Sequence, residues 1–420
     1  MKRLPHIVLA LFWLMFIPKA SAQLSPEVDA YLRDFPQRAA FNAHSYEFST
    51  AKDTPAPQGF KAFYISHYGR HGSRSSFAEK SFVRLRDSLS KESAANILTP
   101  AGDSVFALSK KLVDLYDGMS ARLTQRGARE HAGIARRMYK RFPEVFRQGK
   151  VRALSSTAPR CLVSMSAFTT SLVACKTNLS ISMDCGEKYQ AFLTSSYSKE
   201  LEKKAIALAV EHTTLPFDTA AVYSRIFTDP EIGRNIISNP RRIISYIYEL
   251  ASYAEAFDID DNYFAFLPWN AVIALYSRSA LKAYLMNCNS LPFGDERLSY
   301  ASDLAEDILH KADEAIAGSS VSVDLRFGHD WPFMGICAYF GLEGYGYPRL
   351  SAEQAVYGWN AARYCPFAAN LQMVFYRNDK GMVLVKFLTN EQETQIPELE
   401  PYSGPYYLWP DVKNFLSSRK

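Results

Sequence analysis

Short apolar and β-branched runs alternate along this chain with longer stretches of helical spacing, and the runs end in polar tips; no other feature constrains the fold as much. Phe60–Tyr68 runs into Gly69-Arg70-His71-Gly72-Ser73-Arg74, Val151–Leu154 into Ser155-Ser156-Thr157-Ala158-Pro159-Arg160, and Val321–Phe327 into Gly328-His329-Asp330. Leu179–Met183 reads as another strand, and runs at about 370–377 and 382–388 flank the turn Asn378-Asp379-Lys380-Gly381. Helical patterns fall at about 77–92, 101–117 and 124–142, the last with Thr124 as N-cap. Others follow Pro159, span about 299–316, and run from Pro332 to Phe340, with Asp330 as a cap. Strands separated by helices predict an α/β fold with a central, mostly parallel sheet flanked by helices.

From 187 to 300 the alternation stops, and helical segments with aromatic faces, such as 242–257 and 271–286, read as an inserted, mostly helical second domain. The α/β domain is then discontinuous, 60–186 with 301–395, followed by a tail, 396–420. Residues 23–59 read as a polar lead-in closed by Thr54-Pro55-Ala56-Pro57-Gln58-Gly59, with order beginning near Phe60. Tyr402, Tyr406, Tyr407 and Trp409 are expected to pack the tail onto the domain.

The first 22 residues have the layout of a cleavable export signal: Lys2 and Arg3, an apolar run from Ile7 to Ile17, then Ala20-Ser21-Ala22 before the cut. That run is too short to span a bilayer, and no later stretch is long enough, so an exported (periplasmic or secreted) chain without a membrane span is expected. Of 48 basic residues, Lys2, Arg3 and Lys19 lie in the leader; the other 45 face 43 acidic ones, a charge of +2. Such balance excludes non-specific nucleic-acid binding as a theme and moves any anion affinity to a local cluster. The six cysteines permit disulfides, but not Cys161 to Cys175, which one helix would hold apart.

Ligands of open α/β sheets bind outside the carboxyl ends of the strands, so the three Arg- and His-bearing tips are expected to converge. Arg70, Arg74 and Arg160 offer planar forks of donors that match phosphate oxygens, and helix amino termini add N–H groups. With phosphorus held there, a neutral His71 can attack in line, and Asp330, the only acid on these tips, can protonate the leaving oxygen and then activate water.

Arg70-His71-Gly72-Ser73-Arg74 and Gly328-His329-Asp330 resemble the two signature motifs of the histidine acid phosphatases, the second branch of the histidine phosphatase superfamily. Leu123-Thr124-Gln125-Arg126-Gly127 resembles that family's Leu-Thr-x-x-Gly helix start, and Ser156-Thr157-Ala158-Pro159-Arg160 its Ser-Thr-x-x-Arg segment. Pro366-Phe367-Ala368-Ala369-Asn370 and the strand pair after it resemble its carboxyl-terminal part. The resemblance implies a phosphoglycerate-mutase-like sheet with a variable helical domain, His71 as nucleophile, Arg70, Arg74, Arg160 and His329 as phosphate ligands, and Asp330 as proton donor. It implies no metal or other cofactor, and a small phosphorylated substrate. Arg326-Phe327-Gly328-His329 and Phe340-Gly341-Leu342 look closest to the multiple inositol polyphosphate phosphatases, which act on phytate. Those usually carry His-Ala-Glu, whereas here Asp330 and Trp331 follow His329, and Trp331 narrows the expected pocket.

Other features read as structural. His67 precedes His71 by four residues but lies in a strand, so it reads as a core histidine or one that backs the site rather than a metal ligand; His44, His131, His212 and His310 have no motif around them and read as structural or exposed. Asp258, Asp260 and Asp261 lack the glycine and terminal Glu of a calcium loop and read as a solvated turn. The chain has no Gly-x-Gly-x-x-Gly, Walker, His-Glu-x-x-His or Gly-x-Ser-x-Gly motif, which removes the main nucleotide, zinc-protease and serine-hydrolase readings.

Overall fold

A computed structural model describes residues 24–419 except 49–52, 78, 117, 148, 195–197 and 214–218. The expected export signal lies outside the described residues.

Among the described residues eight strands form one sheet: β1 (Lys61–Arg70), β2 (Lys150–Ser155), β3 (Ser180–Cys185), β4 (Val321–Gly328), β5 (Asn370–Arg377), β6 (Val383–Thr389), β7 (Gln392–Thr394) and β8 (Tyr406–Leu408). Their order is β3-β2-β4-β1-β5-β6-β7, with β8 also on β6. The β3-β2-β4-β1 part is parallel and β5 to β8 extend it antiparallel, so the expected α/β class holds. β1 is covered on both edges and both faces, which is why its sequence reads as a nearly continuous apolar run rather than an alternation.

The helices Gln125–Arg141 and Pro159–Cys175 pack on one face, where Ile134, Met138, Met165, Phe168 and Leu172 meet Ile65, Val323 and Phe327. The helices Ser302–Ile316 and Asp330–Tyr339 pack on the other, beside Trp269–Asn287. Every element between Glu187 and Ser299 in the described residues is helical. A further apolar cluster joins the helices Glu79–Ala94 and Pro100–Tyr116 to Pro240–Ala254, through Phe82, Leu85, Leu108, Leu112, Ile243 and Ile247, so two distant segments build one helical cap.

Two local expectations are corrected. Order begins well before Phe60: the helix Pro26–Asp34 buries Val28 and Leu32, and a 3₁₀ segment, Pro36–Ala43, buries Ala39, Ala40 and Ala43. The apolar spacing there is too short for a periodic signal, yet it suffices to seat the segment. The helix expected at Pro332 starts at Asp330, with His329 in the cap position and making no side-chain cap bond. In the tail, Tyr406, Tyr407 and Trp409 are buried while Tyr402 is exposed. All six cysteines are unpaired. No helix among the described residues is long and apolar enough to cross a membrane.

Candidate active site

The carboxyl ends of β1, β2 and β4 meet, and backbone bonds lock them together. Arg70 N donates to Ala369 O (2.8 Å), His71 N to Gly328 O (3.0 Å), Ser156 N to Phe327 O (3.0 Å), and Ala368 N to His71 O (3.0 Å). The sheet thus brings Arg70, His71, Arg74, Arg160, His329 and Asp330 into one neighbourhood.

The loop after β1 is held by two glycines and one acid that strand-tip reasoning passes over. Gly72 and Gly127 approach so closely that a Cβ on Gly72 would sit 2.5 Å from Gly127 O, and one on Gly127 2.2 Å from Ser73 O. The Leu-Thr-x-x-Gly stretch is therefore a seat for the loop: Thr124 caps its helix by accepting from Gly127 N (3.3 Å) and also bonds Ser73 O through N (2.9 Å) and Oγ1 (3.1 Å). Glu130, one turn on, accepts from Ser73 N (2.7 Å) and Ser73 Oγ (2.6 Å). A single glutamate in a charged helix has no sequence signal that sets it apart.

Arg70 is fully buried. Its Nη1 donates to Asn42 O (2.7 Å), Pro366 O (2.9 Å) and Cys365 O (3.0 Å), and its guanidinium lies 4.7 Å from the Phe367 ring centroid. Those contacts use one side of the fork, while the buried Nε and Nη2 have no hydrogen-bond partner. Arg74 donates from Nη1 to Ser75 O (2.8 Å), and Arg160 from Nη2 to His329 Nδ1 (3.2 Å). Both stack near Phe77, at 4.3 and 5.3 Å, and the Nε of each is buried without a partner. Buried guanidinium nitrogens without hydrogen-bond partners, from two separate segments, make a site that an anion would complete.

His71 is 3% exposed, and its Nδ1 donates to Gly72 O (3.0 Å), which leaves Nε2 with a free lone pair. Burial, then the charges of Arg70, Arg74 and Arg160, hold its pKa well below the usual histidine value, so it is neutral. His329 lies with its ring 5.8 Å from that of His71. Since its Nδ1 accepts from Arg160, its Nε2 donates to Ser156 Oγ (3.3 Å); burial and Arg160 push its pKa down to about 4.

Asp330 is half-buried, its Oδ2 3.4 Å from Arg70 Nη2 and its Oδ1 accepting from Trp331 N (3.1 Å). Burial pushes its carboxyl up, but Arg70, His329 and Arg74 outweigh this and hold it below the usual aspartate value. Asn42 Nδ2 donates to the same Oδ2 (2.7 Å). Asn42 belongs to the lead-in, where sequence patterning gives no hint of a site. A cleft of about 570 Å³, lined by Phe77, Thr157, Arg160, Gln190, His329, Asp330 and Trp331, opens onto these groups.

Residues read as structural lie elsewhere. His67 and His131 are buried against Phe168 and Phe327, and burial first of all pushes each to about 3. His44 is buried between Glu255 (3.1 Å) and Glu47 (3.0 Å), and His310 is exposed beside Glu314. Asp258 and Asp260 pair with Arg129 and Arg126. Among the described residues no group of three or more His, Cys, Asp or Glu side chains is arranged to hold a metal ion.

The architecture is that of an open α/β sheet with an arginine-lined pocket at its carboxyl edge and a helical cap. Among solved structures it is similar to the multiple inositol polyphosphate phosphatase of Bifidobacterium longum in complex with inositol hexasulfate, with a TM-score of 0.74 and 18% identity, covering 90% of this chain and 97% of that one. The phytase from D. castellii gives 0.68 at 13% identity over 91% and 85% of the two chains. The Hafnia alvei phytase in complex with myo-inositol hexakis sulphate gives 0.53 at 13% over 87% and 98%. At such identities the likeness is one of fold, and it is the fold of the proteins to which the sequence motifs pointed. No family model matches the chain, and no curated protein matches it in sequence.

Proposed function

We propose that the chain is a phosphomonoester hydrolase of the histidine acid phosphatase family, working through a phosphohistidine on inositol polyphosphates such as phytate. One observation carries the reading: a neutral His71 with a free Nε2 stands among three arginines whose buried nitrogens lack partners. Arg70, Arg74, Arg160 and His329 hold the phosphoryl oxygens and neutralise their charge, so the charge that metal ions supply elsewhere comes from guanidinium groups. His71 Nε2 attacks phosphorus while Asp330, which the arginines keep ionised in the free site but the negative charge of bound phosphate drives to its protonated form, gives its proton to the departing oxygen. Water then attacks the phosphohistidine, its proton passing to Asp330, and His71 leaves as it arrived.

The 570 Å³ cleft and the inositol-phosphatase look of the surrounding fold favour a bulky polyphosphate. Trp331 beside the acid favours a second reading, a broad-specificity acid phosphatase on sugar phosphates or nucleotides. With the function we propose the division of labour: the α/β unit, 60–186 and 301–395, holds phosphate, and the insertion 187–300, joined by the helices at 79–116, sets substrate breadth. Export is proposed from the leader's composition alone.

The test is phosphate release from a panel of phosphomonoesters, phytate included, with EDTA present. Release from phytate above all others supports the reading. Activity lost in EDTA and restored by a divalent ion sinks the guanidinium mechanism, and no release from any ester leaves an anion-binding protein.

A further inference from the structure

Asp330 has a neutral partner that comes from a different part of the chain. Asn42 Nδ2 lies 2.7 Å from Asp330 Oδ2, and an ionised carboxylate only accepts, so the amide must turn its nitrogen to it. The carbonyl of the same residue accepts from Arg70 Nη1 at 2.7 Å, so Asn42 joins the acid to a phosphate-binding arginine.

The chain is bent and anchored to deliver this residue. Phe41, just before it, has φ 59° and ψ −118°, a conformation a β-carbon resists, and it interrupts the 3₁₀ segment there. Just after it, His44 is clasped by Glu47 and Glu255, Ser45 N donates to Glu255 (3.0 Å), and Phe367 N donates to His44 O (2.8 Å). Backbone strain next to a fixed contact with the acid is the pattern expected where local conformation has been given up for a site.

We propose that Asn42 is a positioning residue for Asp330, fixing the orientation of its carboxyl and supporting it in both protonation states of the cycle. The inference rests on the phosphohistidine reading above. In the first step the P–O bond breaks as the His71 N–P bond forms, and the Asp330 proton goes to the departing oxygen. In the second, water's oxygen bonds phosphorus, the N–P bond breaks, and water's proton returns to Asp330. An amide serves both states: Nδ2 donates to the carboxylate, and after a half-turn Oδ1 accepts from the protonated carboxyl. Alanine serves neither, while aspartate accepts only and adds a like charge.

The charged and titratable groups facing Asp330 are Arg70, Arg74, Arg160 and His329, with Tyr68, Cys161 and Cys365 behind them. These stay in place when only Asn42 is changed. The experiment compares wild type, Asn42→Ala, Asn42→Asp and Asn42→Ser in the pH dependence of kcat/KM for phytate and p-nitrophenyl phosphate. Losing a hydrogen bond to the charged form raises the acid's pKa, so the alkaline limb for phytate should move up by roughly one pH unit in Asn42→Ala and further in Asn42→Asp. Asn42→Ser, which can donate and accept, should move it less, and Asn42→Ala should add nothing in an Asp330→Asn background. An unmoved limb, or an undiminished effect in that background, overturns the proposal.

A titration of ¹³Cγ-labelled aspartate, with the Asp330 signal identified by its loss in Asp330→Asn, reads the same coupling without turnover. An Asp330 titration unchanged by Asn42→Ala overturns the proposal even if activity falls. A shifted titration in a protein that hydrolyses none of the esters keeps the coupling and removes the phosphatase reading instead.

Discussion

Replacing Gly127 by alanine adds one methyl group to a residue with no charge and no part in the chemistry, and it should nevertheless cost most of the activity. The new carbon would stand 2.2 Å from Ser73 O, 2.7 Å from Ser73 N and 2.8 Å from Leu123 Cδ1. Comfortable separations are more than about 1 Å longer, so either the loop or the helix must move by about that much. Ser73 is tied by Glu130 and Thr124, which makes the movement costly, and forced overpacking of this kind takes about 1–3 kcal/mol of stability. The same loop carries His71 and Arg74, and a misplacement of about 1 Å can cost about 10² in rate. Denaturant unfolding and phosphate release from p-nitrophenyl phosphate measure the two effects. Gly358→Ala, with nothing within 4 Å, is the control and should stabilise by about 0.4–1 kcal/mol. A Gly127→Ala protein as stable as wild type and within twofold of its activity would refute the idea that this contact sets the loop.

Asp330→Asn keeps the size of the side chain and removes its proton, so turnover of phytate should fall about 10²- to 10⁴-fold, and that of p-nitrophenyl phosphate, whose leaving group needs little protonation, much less. Equal losses on both would move the acid elsewhere; Glu343 is exposed and bonded through its backbone to Gln395, so an acid of the helical cap, such as Glu249, would come first. Rapid-quench labelling with phosphorus-labelled substrate should trap an acid-labile phosphohistidine that disappears in His71→Ala; label persisting there would name another nucleophile. Burial pushes His44 down, but Glu255 and Glu47 more than offset this and raise it to about 9. Its stabilisation, on the order of 3 kcal/mol, is therefore complete below the unfolded value of 6.5 and lost as pH rises through 9. Unfolding free energies at pH 6 and pH 10 should diverge between wild type and His44→Gln at the lower pH and converge at the higher; parallel curves would show that the ion pair carries no such weight.

The strand tips were legible because a fully covered parallel strand must be apolar along its length and must end where its side chains meet a ligand rather than a core. That is why Arg70, His71, Arg160 and Asp330 stand out of their surroundings. Glu130 and Asn42 do not, since a residue that works through one hydrogen bond to a distant segment leaves no periodicity. The 3₁₀ segment at Pro36–Ala43 was illegible for a related reason: its shape depends on Phe41 in a conformation that local preference opposes. The helices at 79–94 and 100–116 were visible as helices, but their partner was not, because amphipathic spacing reports that a face is covered and never by what. The three-residue strands β7 and β8 are too short for alternation to register.

The place of β1 in the sheet also decides when such a protein becomes competent. Both of its neighbours, β4 and β5, belong to the last quarter of the chain. A ribosome releases β1 early, and the strand then waits as an apolar edge until nearly the whole polypeptide has followed. Pairings so remote in sequence are slow to close and leave an edge open to wrong partners meanwhile. Until they close there is no pocket, because it is that central pairing that brings the loop bearing His71 beside the tip bearing Asp330. A chain cut short anywhere before β5 would therefore be without activity and prone to aggregate, and folding should look all-or-none at the catalytic centre, with no partial activity along the way.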